Sequence, residues 1–200
     1  MSGNHRRKFR QLTYAAVLAV LAACAAPPAP PLNMKVTFQN REPIRIDAAR
    51  VEVTEAYTPS LEAPHIEHLY KQTPATLARR WAAERLDPVG QSGQITLTIK
   101  EASVIEEPLP VKKGIAGLLS NESEVRLRAT LKARLEYAEL GERRRSFLAD
   151  VEAKADRTIP EGATLNERDL AYFDTLETLA AQFDQALTGE MMRAMAPVIR

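Results

Sequence analysis

The chain has 200 residues, 45% of them hydrophobic and 26% charged, which fits one folded domain and leaves little room for a second once the N-terminal segment is set aside. Its 27 Lys and Arg against 26 Asp and Glu are unevenly placed: Arg6, Arg7, Lys8 and Arg10, with no anion, precede Cys24, so 23 cations face 26 anions beyond it. That mildly acidic remainder excludes the basic footprint of a nucleic-acid binder, and Arg79-Arg80 and Arg143-Arg144-Arg145 read as solvated turns or helix faces.

Residues 5–10, HRRKFR, form a cationic head, and the twelve residues 12–23, LTYAAVLAVLAA, form an apolar run. A membrane-crossing helix needs about 20 apolar residues; a basic head, a short apolar middle and small residues at its end make a secretory signal peptide instead. The run ends Leu21-Ala22-Ala23-Cys24, which resembles the lipobox, Leu-[Ala/Ser]-[Gly/Ala]-Cys, of the bacterial lipoproteins. The resemblance implies a diacylglycerol thioether on Cys24, cleavage between Ala23 and Cys24, and acylation of the new amino group. Membrane lipid is then the first expected partner. One acyl chain binds a membrane only marginally, at ~0.8 kcal/mol per buried methylene, whereas several chains on one residue anchor stably. Cys24 is the only cysteine, which disfavours a catalytic or disulfide role for it. Arg6-Arg7-Lys8-Phe9 resembles the twin-arginine export signature, but Arg10 stands where an apolar residue is usual, which favours an ordinary basic head. Ala25, rather than aspartate, follows the cysteine, and by the same resemblance this points to the periplasmic face of the outer membrane.

Pro27, Pro28, Pro30, Pro31 and Pro43 make residues 25–43 an extended, semi-rigid tether. IRIDAARVEV, 44–53, reads as a first strand. Pro59, Pro64 and Pro74 punctuate the irregular stretch after it, and Thr73-Pro74 is a helix start, with a capping hydroxyl and proline at the first turn. Leu77, Ala78, Trp81, Ala82 and Leu86 keep helical spacing until Asp87-Pro88. QITLTIKEASVI, 94–105, alternates as a second strand.

Residues 124–137 alternate without a break, Val125 through Tyr137 apolar at odd positions and Glu124 through Glu136 polar at even ones, so one face is buried and the other wet. Phe147, Ala149, Val151, Ala153 and Ala155 repeat the pattern, and the two strands predict a long hairpin. A register in which paired numbers sum to 284 sets Arg134 opposite Asp150, Lys132 opposite Glu152, Arg128 opposite Asp156 and Tyr137 opposite Phe147. A shift to 282 brings Arg128 against Lys154 and loses opposite-charge pairs worth about 0.2–1 kcal/mol each. The loop this implies is Gly141-Glu142-Arg143. Thr164-Leu165-Asn166-Glu167 is a capping box. After it Leu165, Tyr172, Phe173, Leu176, Leu179, Ala180, Phe183 and Leu187 form an apolar stripe read as core, with Gly189 placed to end or interrupt the helix.

The order β-α-β-β-β-α predicts an α+β fold: a two-layer sandwich with a mainly antiparallel sheet and both helices on one face. The domain plan is a signal peptide over 1–23, a lipidated cysteine and tether over 24–43, and one periplasmic domain over 44–200. Pro64-His65-Ile66-Glu67-His68 has neither zinc-protease spacing, and reads as a polar loop before a helix; no metal ligand set and no cofactor is expected. No nucleophile elbow, phosphate loop or dinucleotide fingerprint occurs, so no catalytic residue is assigned. The segment 107–123, EPLPVKKGIAGLLSNES, is long for a connection inside one domain; either its leucines tuck under the sheet edge, or Lys112, Lys113, Ile115, Leu118 and Leu119 are partner or membrane contacts. In topology the body resembles the lipopolysaccharide-assembly lipoprotein and, second, the auxiliary lipoproteins of ABC-type lipid transporters. That resemblance implies a non-catalytic accessory or assembly factor with an outer-membrane or transporter protein as partner. A carrier of a lipid-like ligand is the alternative, and an envelope hydrolase the third reading.

Overall fold

The computed structural model describes residues 34–109, 124–139, 145–160 and 162–200. The order is β1 (Ile44–Ile46), β2 (Arg50–Glu55), α1 (Pro74–Arg85), β3 (Leu86–Pro88), β4 (Gln94–Pro108), β5 (Glu124–Glu139), β6 (Arg145–Pro160) and α2 (Leu165–Ala194), with single 3-10 turns at Glu67–Leu69 and Ala196–Val198. This is the predicted α+β fold, and both helices pack on one face of a four-stranded sheet ordered β2-β4-β5-β6.

Three expectations are corrected. The sheet is mixed rather than mainly antiparallel, because β2 runs parallel to β4, and β1 runs parallel to β3 in a separate two-stranded sheet. Stretch 44–53 is two strands, not one. After Ile46 the chain turns through Asp47–Ala49, and β2 joins the large sheet. The body also takes in residues read as tether. Val36 and Phe38 are core residues, held against α1 and the stretch just before it, where Gln72 Oε1 accepts from Val36 N at 3.0 Å and Glu84 Oε2 from Phe38 N at 2.6 Å.

The hairpin forms in the predicted register throughout, Arg134 opposite Asp150, Lys132 opposite Glu152 and Tyr137 opposite Phe147. Strand β4 keeps its alternation only to Ile99. There the pairing slips by one residue at Lys100, and the buried set passes from Ile95, Leu97 and Ile99 to Ala102 and Val104. One extra residue in a strand moves every later side chain to the opposite face, which is why both halves of this strand serve one core.

The wet face carries an alternating charge ladder. Arg134 grips Asp150 through two bonds of 2.9 Å, while Lys100 adds a third at 3.0 Å. The Arg134 guanidinium first, then the Lys100 ammonium, hold the Asp150 carboxyl down at about 2. A carboxyl depressed on folding contributes stability that is present above its unfolded value, near 4, and is lost as pH falls towards 2. Carbon-detected titration of Asp150 is expected to show a midpoint near 2 that returns towards the ordinary value in Arg134→Met; an ordinary midpoint in the unsubstituted chain contradicts this.

Both helices start as the sequence indicates. Thr73 caps α1 with Pro74 in its first turn, and Thr164 and Glu167 form the capping box of α2. Gly189 does not end α2, which continues to Ala194; an exposed glycine costs only ~1 kcal/mol in a helix interior, and Met191 and Met195 beyond it are buried. Between the helices, Asp184 Oδ1 accepts from Trp81 Nε1 and from Arg85 Nε, both at 2.8 Å. Asp184 and Arg85 are only 5% and 6% exposed, so a buried ion pair fixes α1 against α2.

At the end of the sheet where β4 begins, the C-terminal residues pair with β1. Ile199 bridges Ile46, and Asp47 Oδ2 lies 2.7 Å from Arg200 Nη2 and 3.5 Å from Arg145 Nη2. Gly93 there adopts φ +80°, and a Cβ on it would lie 2.7 Å from the Tyr137 hydroxyl oxygen; only glycine meets both demands.

Candidate functional site: the loop end of the sheet

Strand β2 ends at Glu55, and β4 runs on for nine residues past Ile99. Its exposed edge there is taken up by the stretch from Tyr57 to Tyr70. Ile66 N donates to Val104 O and Glu106 N donates to Pro64 O, both at 2.9 Å, so His65 lies opposite Ile105 in an antiparallel bridge. The Ala63-Pro64 peptide is cis.

Glu67 secures this stretch. Its side chain is 1% exposed, Oε2 accepts from Val104 N at 3.0 Å, and Oε1 accepts from the Tyr57 hydroxyl at 2.8 Å. The carboxylate thus supplies the acceptor that a neighbouring strand would have supplied to Val104. Burial, then the hydrogen bond to Glu67, push the Tyr57 phenol well above its ordinary value. His65 Nδ1 stands 3.4 Å from Glu67 Oε1 with no hydrogen-bond partner. The segment read as a polar loop is therefore a buried acidic pin. Its sequence signal was weak: a carboxylate one residue after an apolar position, in a stretch with no period.

Outside the pin the stretch forms one wall of a depression of about 620 Å³, lined among others by Leu61, Pro64, His68, Leu69, Pro108 and Leu109. Glu106, also in its lining, is held by Arg168 Nη2 at 2.6 Å, so the first turns of α2 stand beside it. Tyr70 stacks on Tyr172 with centroids 3.6 Å apart, and burial raises both phenols. Leu61 is 74% exposed, Leu69 70% and Leu165 76%. Leu165 corrects the stripe read from sequence. As the first residue of α2 it precedes the part of the helix that reaches the core.

Leu109 and Glu124, which border the segment 110–123, both line this depression. The candidate contacts Lys112, Lys113, Ile115, Leu118 and Leu119 lie outside the described residues, as do Leu21, Ala22, Ala23, Cys24 and the hairpin loop at Gly141–Arg143. Among the described residues there is no grouping of three or more His, Cys, Asp or Glu placed to hold a metal, and no helix is long and apolar enough to cross a membrane.

No protein-family model matches the chain, and no curated protein matches it by sequence. Among solved structures it is similar to a minor lipoprotein from Acinetobacter baumannii, with TM-score 0.42 and 14% identity over 73% of this chain and 95% of that one. It is similar also to rare lipoprotein B from Shewanella oneidensis, with TM-score 0.37 and 14% identity over 72% of this chain and 97% of that one. A third is a Xanthomonas campestris protein of family DUF330, with TM-score 0.33 and 11% identity over 76% and 97% of the two chains. At these values no residue's role passes from one chain to another.

Proposed function

We propose that this chain is a bacterial envelope lipoprotein, anchored through acylated Cys24 to the periplasmic face of the outer membrane, and that it acts as a non-catalytic accessory or assembly factor in envelope biogenesis or transport. The observation that carries the reading is the lipobox Leu21-Ala22-Ala23-Cys24 at the end of a basic and then apolar leader. The body supports it in one respect. Its first described residues are fastened to α1 and the stretch just before it, with Gln72 Nε2 donating to Met34 O at 2.6 Å and Arg80 reaching Val36 O, so a tether would pull on a rooted strap rather than on a frayed end.

The loop-end depression favours surface contact over the enclosure of a ligand. Ligand sites bury 70–90% of their occupant, whereas Leu61, Leu69, Ala63, Pro64 and Pro108 around this one are exposed. Cys24→Ser expressed in the native host is expected to leave the outer-membrane fraction and to accumulate with its leader uncleaved. An unchanged outer-membrane fraction in that variant overturns the anchored reading.

A further inference from the structure

The three most exposed large apolar side chains of the described body lie at one end. Leu61 and Leu69 share the depression beside the Glu67 pin, and Leu165 opens the helix whose next turn carries Arg168 onto Glu106 of the same depression. The remaining exposed large hydrophobics, Val89, Leu148 and Met192, are at most half exposed; Val89 and Met192 lie towards the opposite end, where β4 begins and α2 finishes.

Met34, the first described residue, lies at the apolar end. Met34 O accepts from the Gln72 side chain, Gln72 O accepts from the Tyr172 hydroxyl at 2.9 Å, and Gln72 is three residues from Leu69. Nine residues, Ala25 to Asn33, separate Cys24 from Met34, and four of them are proline; the ten residue steps from Cys24 to Met34 correspond to a length of about 31 Å at ~3.1 Å each. From Tyr172, level with the attachment, to Ala194, α2 rises about 33 Å. The opposite end thus lies as far from the attachment as the drawn-out link can stretch, while the apolar end needs almost none of that length.

We infer that Leu61, Leu69 and Leu165 form a footprint that rests on the lipid surface itself, so that the body stands end-on with the β1–β3 end pointing away from the membrane. The inference deepens the anchored reading above and depends on it. Large apolar side chains left in water at one end of a body are otherwise an aggregation liability. Tethering beside a bilayer gives them an apolar phase at high effective concentration.

The test uses the full-length lipidated chain reconstituted into phosphatidylethanolamine–phosphatidylglycerol vesicles. Leu61→Cys, Leu69→Cys and, at the opposite end, Met192→Cys are each labelled with a polarity-sensitive fluorophore. All three side chains are exposed, so the label does not disturb the core. The expected result is a blue shift at 61 and 69, with at least three-fold stronger quenching by lipid-borne nitroxide than at 192. Equal quenching at all three positions on vesicle-bound protein overturns the footprint and leaves the anchor intact, as does dry, unquenched label that reports contact between two copies. Label taken up at Cys24 by protein that stays off the vesicles shows the anchor itself to be absent, and overturns both.

Discussion

Asp184→Ala is expected to destabilise the body by about 3–5 kcal/mol, since removing one partner of a buried pair leaves the other charge uncompensated. The stranded groups are the Arg85 guanidinium and the Trp81 ring N–H, both of which donate to Asp184 Oδ1 at 2.8 Å; Thr188 Oγ1, at 3.4 Å from Arg85 Nη2, is too weak a substitute. In a chain of this size that corresponds to a fall of about 10 °C in Tm. Trp81 is the only tryptophan, so its emission follows the same transition. A charge-free pair, Asp184→Asn with Arg85→Met, keeps an acceptor for the indole and restores most of the loss, because a buried ion pair contributes little net stability over a neutral, packed substitute. Asp184→Ala within 1 kcal/mol of the unsubstituted chain contradicts the account of how α1 is fixed on α2.

Glu67→Ala has the second largest expected effect, and it is local. Without the carboxylate, the half-buried Tyr57 hydroxyl loses its acceptor, and so does Val104 N–H, at about 1–3 kcal/mol for a buried group left unpaired. The stretch from Tyr57 to Tyr70 should then open independently of the core. Amide exchange at Val104 is expected to speed up by about a hundredfold, a change of ~2.8 kcal/mol, while amides in the middle of β5 keep their protection. Exchange at Val104 that does not change in this variant would show that Glu67 is not what holds the stretch. Because the same stretch carries Leu61 and Leu69, Glu67 is where stability and the proposed membrane footprint meet.

The sequence exposes this fold wherever a period repeats long enough to fix a face. The β5–β6 hairpin was legible to the residue, since seven apolar positions set the buried side and three opposite-charge pairs chose among registers. The two helix starts were legible because a cap hydroxyl is a local device. What escaped has physical reasons. Strand β2 pairs with β4 in parallel through a crossover containing α1 and β3, and no local signal distinguishes a parallel from an antiparallel neighbour. The bulge at Lys100 sits in a stretch that still alternates on either side of it. Glu67, Arg85 and Asp184 look like the solvated charges around them, because each acquires its partner only through tertiary packing, 37 residues away for Val104 and 99 for the ion pair. Leu165 fits the helical stripe by spacing alone, yet it is exposed, and the buried face of the helix starts only at Ala171.

At the loop end the sequence singles out the segment 107–123, and the described body places Leu61 and Leu69 in the depression that Leu109 and Glu124 also line. Met34, bonded to Gln72, lies at the same end of the sheet as these exposed leucines.

The N-terminal peptide of the protein isolated from its native host decides the central claim. Mass spectrometry is expected to find a chain that starts at Cys24 and is heavier than its residues by a diacylglyceryl thioether, with a further acyl group on the amino nitrogen. A peptide in which the Cys24 sulfur is a free thiol contradicts the account.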